Sequence, residues 1–398
     1  MTEAVARHPH APQLSPVEVA AGLTLGYEPG RRPPTATGVG MRAAFESVVR
    51  EALCRPPCVV SFSGGRDSST VLAVARLVAQ REGLPPPVAV SLRFPSVAQA
   101  EESAWQEQVV AQVGLADWVR LPLADELDLL GPRGQQVLRR HGALWPANAF
   151  FHGPIADQAT GGSLLTGVGG DELMTPSSVW DRVNLVRGRV VRPRPADLPM
   201  LLLSGLPAAA RSWVLRRRSG PDLHAPWLRR GAGEQVQAAF AAMRTAGPVR
   251  HDRALLRFWG SRYLAVGLDS LARVGADAGA TVFSPFSDGR VVAEAAADRG
   301  RMPPRSRSRA MLLAFSDVLP REILRRGSKA SFNGAFWGPH TREFVAGWTG
   351  QGVDQALVDA DALHRVWRGA DPDARSYTLL QTAWLAAGRG SAAASAAQ

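Results

Sequence analysis

Ser63-Gly64-Gly65-Arg66-Asp67-Ser68-Ser69 lies between two apolar runs of different character. Before it, Cys58-Val59-Val60-Ser61-Phe62 is β-branched and of strand length. After it, Thr70-Val71-Leu72-Ala73-Val74-Ala75 reads as a helix. A strand that ends in a glycine pair and re-enters a helix at hydroxyl residues is an anion site. Gly64 and Gly65 let the backbone approach a phosphate, and the free N–H groups at the helix start carry the positive end of its dipole. Ser63, Ser68 and Ser69 add hydroxyl donors, and Ser61 stands at the strand end. A carboxylate in such a loop makes sense if Asp67 holds a Mg²⁺ that neutralises phosphates.

The run resembles the pyrophosphate-binding loop of the ATP-pyrophosphatase superfamily. It is not a Walker loop, which needs Gly-Lys-Ser/Thr; lysine occurs once in the chain, at Lys329, and follows a serine.

The same grammar continues along the chain. Val88-Ala89-Val90-Ser91-Leu92 is a second strand, with Arg93 at the C-terminal edge where open α/β sheets place ligands. Glu101 to Val113 reads as a helix, Trp118 to Leu121 as a third strand, Asn148 to Thr160 as a helix and Ser163 to Thr166 as a further buried strand. Strands alternating with helices predict a parallel sheet with covering helices. The last strand runs into Gly167-Val168-Gly169-Gly170-Asp171-Glu172. Glycines and then a carboxylate at a strand end repeat the first loop, so Asp67 and Asp171 can share one metal ion, with Gly167 and Gly169 beside the nucleotide and Glu172 in a supporting role.

A serine-rich pyrophosphate loop followed by Thr-Gly-x-Gly-Gly-Asp-Glu resembles the synthetase domain of asparagine synthetase, which β-lactam synthetase and the lasso-peptide cyclases share. Thr281-Val282-Phe283-Ser284-Pro285-Phe286-Ser287-Asp288 is similar to that family's Pro-Phe-Leu-Asp segment, with Asp288 read as a helix cap. Leu319-Pro320-Arg321-Glu322-Ile323-Leu324-Arg325-Arg326-Gly327-Ser328-Lys329-Ala330-Ser331-Phe332 is similar to its Leu-Pro…Arg…Lys…Phe run. The resemblance implies an α/β fold: a parallel-sheet PP-loop core, adenine nucleotide alpha hydrolase-like, with an additional helical C-terminal region. It implies ATP and Mg²⁺ as cofactors and a carboxylate that attacks the α-phosphate of ATP. Pyrophosphate then leaves and an amine takes the acyl group. Lys329 would contact the α-phosphate in the transition state, which makes Lys329 and Asp171 the expected catalytic pair. The residues lend Lys329 separate support, because every other basic position is arginine and a compact ammonium differs from a guanidinium fork. Ala356 to Leu363 resembles a helical packing segment of the lasso-cyclase branch, which points to modified-peptide (RiPP) or other natural-product biosynthesis.

Two departures from the family bear on chemistry. The residues ahead of Ser63 are too few for the glutaminase domain of asparagine synthetase, and Thr2 stands where its cysteine would, so glutamine hydrolysis is not expected. Val168 replaces the acid or tyrosine base, and Thr281 replaces a glutamate ahead of the Pro-Phe pair.

The remaining composition narrows the alternatives. The chain has 398 residues, 45% of them hydrophobic, and a net charge of +11. It is long enough for a sizeable core. Neither a membrane-spanning run nor a signal peptide is visible, and Cys54 and Cys58 form no disulfide or zinc framework, so a cytoplasmic location is expected. The positive charge permits nucleic acid, but no RNA-binding signature accompanies it; nucleic acid is not expected as a partner. Rival readings are a tRNA-modifying PP-loop enzyme and a non-catalytic partner that binds nucleotide or peptide. The expected organisation is an irregular arm (1–40), within which Ser15 and Glu18 suit a capping box, and a nucleotide-binding core (41–175). An Arg/Pro-rich insertion (176–250) follows, as solvated charge or a docking face for an acidic leader peptide or carrier. A mainly helical completion (251–388) and a small polar, disordered tail (389–398) close the chain.

Overall fold

The computed structural model describes residues 13–95, 103–115, 118–175, 178–217, 223–327 and 333–396. Five strands form one parallel sheet: β1 (Cys58–Ser61), β2 (Val88–Arg93), β3 (Trp118–Pro122), β4 (Ser163–Leu165) and β5 (Thr281–Phe283), in the order β3-β2-β1-β4-β5. Their short runs of Val, Leu and Ala suit strands covered on both faces. Successive side chains alternate. Val59, Val90 and Leu164 turn to one face and pack with Ile155 and Ala156. Val60, Ala89 and Leu165 turn to the other, over helices Met41–Leu53 and Arg66–Glu82. There Phe45 meets Phe286 and Phe315 edge-on at 4.8 and 5.3 Å.

The topology decides where a ligand can sit. From β1 the chain steps outward through β2 to β3, then returns to place β4 on the other side of β1. The reversal leaves a crevice at the C-terminal ends of β1 and β4. Both glycine loops leave the sheet there.

Several expected elements differ in detail. The loop helix begins at Arg66, four residues before the apolar run. The span Asn148–Thr160 is not one helix: a 3₁₀ turn (Ala149–His152), one α turn (Gly153–Ala156) and a second 3₁₀ turn succeed one another. Pro154 cannot donate a backbone hydrogen bond, which breaks the run. The mainly helical completion opens not on one helix but on two, His251–Trp259 and Arg262–Asp277, parted at Gly260, with the Ser261 hydroxyl accepting from Leu264 N–H. Residues 281–283 are an unforeseen fifth strand, and Pro132–His141 an unforeseen helix. Ala360–Trp367 is helical behind its Asp359 cap, but Ala356 to Asp359 precede the helix. The last helix, Tyr377–Ala396, carries the backbone of the small polar tail as far as Ala396; alanine favours that continuation.

Around the sheet, a second core gathers Trp227, Trp337, Trp348, Trp367 and Tyr377 from the C-terminal half against Leu127, Leu129 and Phe150. The arginine-rich segment is folded. Its helices Asp181–Arg187, Leu198–Leu203, Ala208–Arg217 and Arg230–Thr245 include a small core of Trp180, Val183 and Leu203, while Arg187, Arg189, Arg192 and Arg194 are exposed. Among the described residues no helix is long and apolar enough to cross a membrane.

Candidate active site

The crevice is built from the loop after β1 outward. Gly64 has φ +81°, a conformation that glycine adopts without strain. Gly65 is the extended N-cap of helix Arg66–Glu82, and among the described residues no side chain caps that helix, which leaves its first N–H groups to a ligand. The serines divide the work. Ser63 Oγ accepts from Gly65 N–H at 3.3 Å. Ser68 Oγ lies 3.1 Å from Ser63 Oγ and donates to Gly65 O at 3.1 Å, so these two hydroxyls brace the loop. Ser69 is fully buried, and its Oγ has no partner among the described residues. Ser61 Oγ sits 3.3 Å from Nδ1 of His152, a buried ring whose desolvation lowers its pKa to about 3. Ser61 and Ser69 are therefore placed behind the loop and Ser63 at its mouth. Arg93 ends β2 beside it, with its carbonyl accepting from Leu123 N–H.

The second loop fits against the first through absent side chains. A Cβ on Gly170 would stand 2.3 Å from Asp67 Cγ, and one on Gly167 2.9 Å from Ser68 N. Gly169, at φ +93°, lies against Ser287, whose hydroxyl donates to Val168 O at 2.9 Å. Thr166 Oγ1 and Ser284 Oγ, 2.7 Å apart, fasten the loop to the Pro285–Ser287 turn. The glycines thus serve loop-to-loop packing, and the Pro-Phe segment backs the Gly-Gly-Asp-Glu loop. Asp288 caps the next helix by accepting from Arg290 N–H. Thr281 opens β5 at the sheet edge opposite these loops.

This packing brings Asp67 and Asp171 together around one cation, the guanidinium of Arg307. Its Nη2 is 2.5 Å from Asp67 Oδ2, and its Nη1 pairs with Asp171 Oδ1. Burial raises the pKa of Asp67, opposed by the Arg307 charge. The other oxygen, Asp67 Oδ1, is buried without a hydrogen-bond partner among the described residues. An unsatisfied carboxylate oxygen and a positive group between two aspartates suit a divalent cation that retains water and phosphate ligands. Among the described residues no group of three or more His, Cys, Asp or Glu could hold a metal, so any ion here depends on the nucleotide for further ligands.

Three neighbours are not among the site residues that the sequence indicates. Arg326 is buried, stacks its guanidinium over Trp105 at 4.8 Å and donates to Gly64 O at 2.9 Å. Gln106 donates to Ser63 O at 3.2 Å. Arg307 was hidden among many arginines, whereas Arg326 stood within the quoted Leu-Pro…Arg…Lys run. Lys329 and Phe332 lie outside the described residues; Arg326 itself contacts the phosphate loop. On the other rim, Tyr263 donates to Glu172 Oε1 at 2.8 Å. Burial and the nearby carboxylates raise its phenol pKa and keep the donor neutral.

An uncapped helix start, a positive-φ glycine and paired aspartates at the switch point are the parts that an anion site at a helix start calls for. The asparagine synthase family model matches residues 40–388, which includes both loops, Arg307 and the Lys329 run. No curated protein matches the chain. The chain belongs to the asparagine synthase family and is an ATP-dependent ligase that forms amide bonds.

Proposed function

We propose that this ligase adenylates a carboxylate, releases pyrophosphate and passes the acyl group to an amine, in the cytoplasmic assembly of a natural product or a modified, lasso-like peptide. The observation that carries the reading is the meeting of Asp67 and Asp171 around one positive charge at the mouth of an uncapped helix.

In this reading Gly64, Gly65 and the helix N–H groups hold the β- and γ-phosphates. Asp67 and Asp171 hold Mg²⁺, which when bound supplies positive charge to the departing pyrophosphate. Lys329 faces the α-phosphate as negative charge develops there, and a fixed cation at that point lowers the barrier more than it tightens the ground state. Arg326 positions that run by anchoring it on Gly64 O. Val168 accepts no proton. The proton of the amine therefore passes to substrate, to pyrophosphate or to Glu172, whose carboxylate is held by Tyr263. The acid and the amine are a small molecule or a peptide, and the exposed arginines of the 176–250 segment suit an acidic leader peptide or carrier.

Calorimetry with Mg²⁺ and a non-hydrolysable α,β-analogue of ATP tests the site without knowledge of the acid. Metal-dependent binding to the wild type that disappears in Asp67→Asn supports it; binding that survives Asp67→Asn places the nucleotide elsewhere. Lys329→Ala is expected to retain that binding while pyrophosphate release falls by about 10²–10³-fold or more; unchanged release removes Lys329 from the mechanism.

A further inference from the structure

Arg307 is the first residue of helix Arg307–Phe315, behind its Ser306 cap. The start of this helix is docked twice on the phosphate loop: through Arg307 on the two aspartates, and through Ser308 Oγ, which accepts from Arg66 at 3.2 Å. Two carboxylates that converge, one of them largely buried, repel each other unless a cation stands between them. The guanidinium meets that need with one terminal nitrogen for each aspartate. It also fills the space in which a metal ion would meet the same two oxygens. Both cations cannot occupy it together.

Resting on the metal reading above, we infer that Arg307 is a resident counter-ion that closes the Asp67–Asp171 pair to free divalent cations and yields to a metal that arrives with nucleotide. Free Mg²⁺ has to break both of these ion pairs and leave the guanidinium without its two carboxylates. Nucleotide changes the balance. The released arginine is tethered at the rim of the anion site, and its planar fork matches phosphate oxygens. Metal and nucleotide then bind with positive coupling. Arg307 acts here as a positioning residue.

The test is Mn²⁺ binding, followed by electron paramagnetic resonance, on wild type, Arg307→Gln, Arg307→Lys and the Arg307→Gln/Asp67→Asn double variant. Without nucleotide, Arg307→Gln is expected to bind Mn²⁺ at least tenfold more tightly than wild type. The double variant should lose that gain, and Arg307→Lys should stay near wild type. With the ATP analogue present, the wild type should tighten at least tenfold. If Arg307→Gln is folded and binds Mn²⁺ no better than wild type, the counter-ion role is overturned although the metal site stands. If wild type with analogue binds no Mn²⁺ that depends on Asp67, the metal reading itself fails, and this inference with it. Should Arg307→Gln be unfolded without metal, recovery of its melting transition by Mn²⁺, absent in the double variant, supports the role; no recovery overturns it.

Discussion

Gly170 and Gly65 are both glycines of the phosphate crevice, yet they answer to different neighbours. A methyl group on Gly170 would collide with Asp67 Cγ at 2.3 Å, inside the contact that aligns the two aspartates, whereas one on Gly65 would meet Ser63 Oγ at 3.3 Å. Gly170→Ala should therefore cost about 1–3 kcal/mol by overpacking and abolish metal-dependent nucleotide binding. Gly65→Ala should cost under about 1 kcal/mol and weaken nucleotide binding alone. Melting curves and calorimetry on the two variants separate these outcomes; equal melting points would remove the packing role of Gly170. His152 gives a second residue-scale test. Its neutral, buried form means that between about 3 and the ordinary value of 6.5 the unfolded chain binds a proton that the fold does not. The stability it supports is whole above 6.5 and declines as pH falls toward 3, by about 1.4 kcal/mol per unit. Urea titrations between about pH 5 and 6.5 should show this slope in wild type and a flatter one in His152→Gln. At this scale the sequence displayed Asp67 and Asp171 through their glycine-flanked strand ends. It did not display Arg307, because an arginine among 45 others of the same charge class carries no local signature, and its partners lie far away in the chain.

Elements were legible where local chemistry decides them. The first four strands follow from short apolar runs bounded by loop residues, and the capping box of Ser15 and Glu18 forms as its spacing implies. What spacing did not show is that Glu18 also accepts from Leu25 N–H at 2.7 Å and pairs with Arg262 at 2.8 Å, fastening the N-terminal arm to helix Arg262–Asp277. Removing the carboxylate leaves a largely buried guanidinium with Glu28 as its remaining acidic partner among the described residues. Glu18→Ala should cost on the order of 3 kcal/mol and open the arm to proteolysis near Leu23–Leu25. An unchanged melting temperature with an intact arm would show that the arm is held elsewhere. The fifth strand, Thr281–Phe283, escaped sequence reading because it runs directly into the Ser-Pro-Phe-Ser turn and merges with that segment. The break at Gly260 escaped because apolar side chains keep helical spacing on both sides of it. Both depend on tertiary partners: β5 on its pairing with β4, and the break on contacts such as Glu28 N–H to Gly260 O at 2.8 Å.

The whole molecule assembles the site from segments that no local window contains: 61–69 from β1, 166–172 from β4, Ser287 beyond β5, and Arg307 and Arg326 from the C-terminal half. Ligand binding should therefore stabilise the central sheet as well as the loop, and the two thiols report on this. Cys54 is exposed, while Cys58 opens β1 with 4% exposure and a pKa raised to about 11 by burial, partly offset by a hydrogen bond with Ser163. At mildly alkaline pH a thiol reagent should modify Cys54 at once and Cys58 only as the sheet opens. If β1 opens with the rest of the fold, Mg²⁺ and the ATP analogue at about 100 times their dissociation constant should stabilise the closed state by about 2.7 kcal/mol and slow Cys58 modification by about a hundredfold, with Cys54 unaffected. Equal rates for the two thiols would contradict the buried strand. Slow Cys58 modification that ligand does not change, in a protein shown by calorimetry to bind it, would mean that β1 opens locally without releasing the phosphate loop.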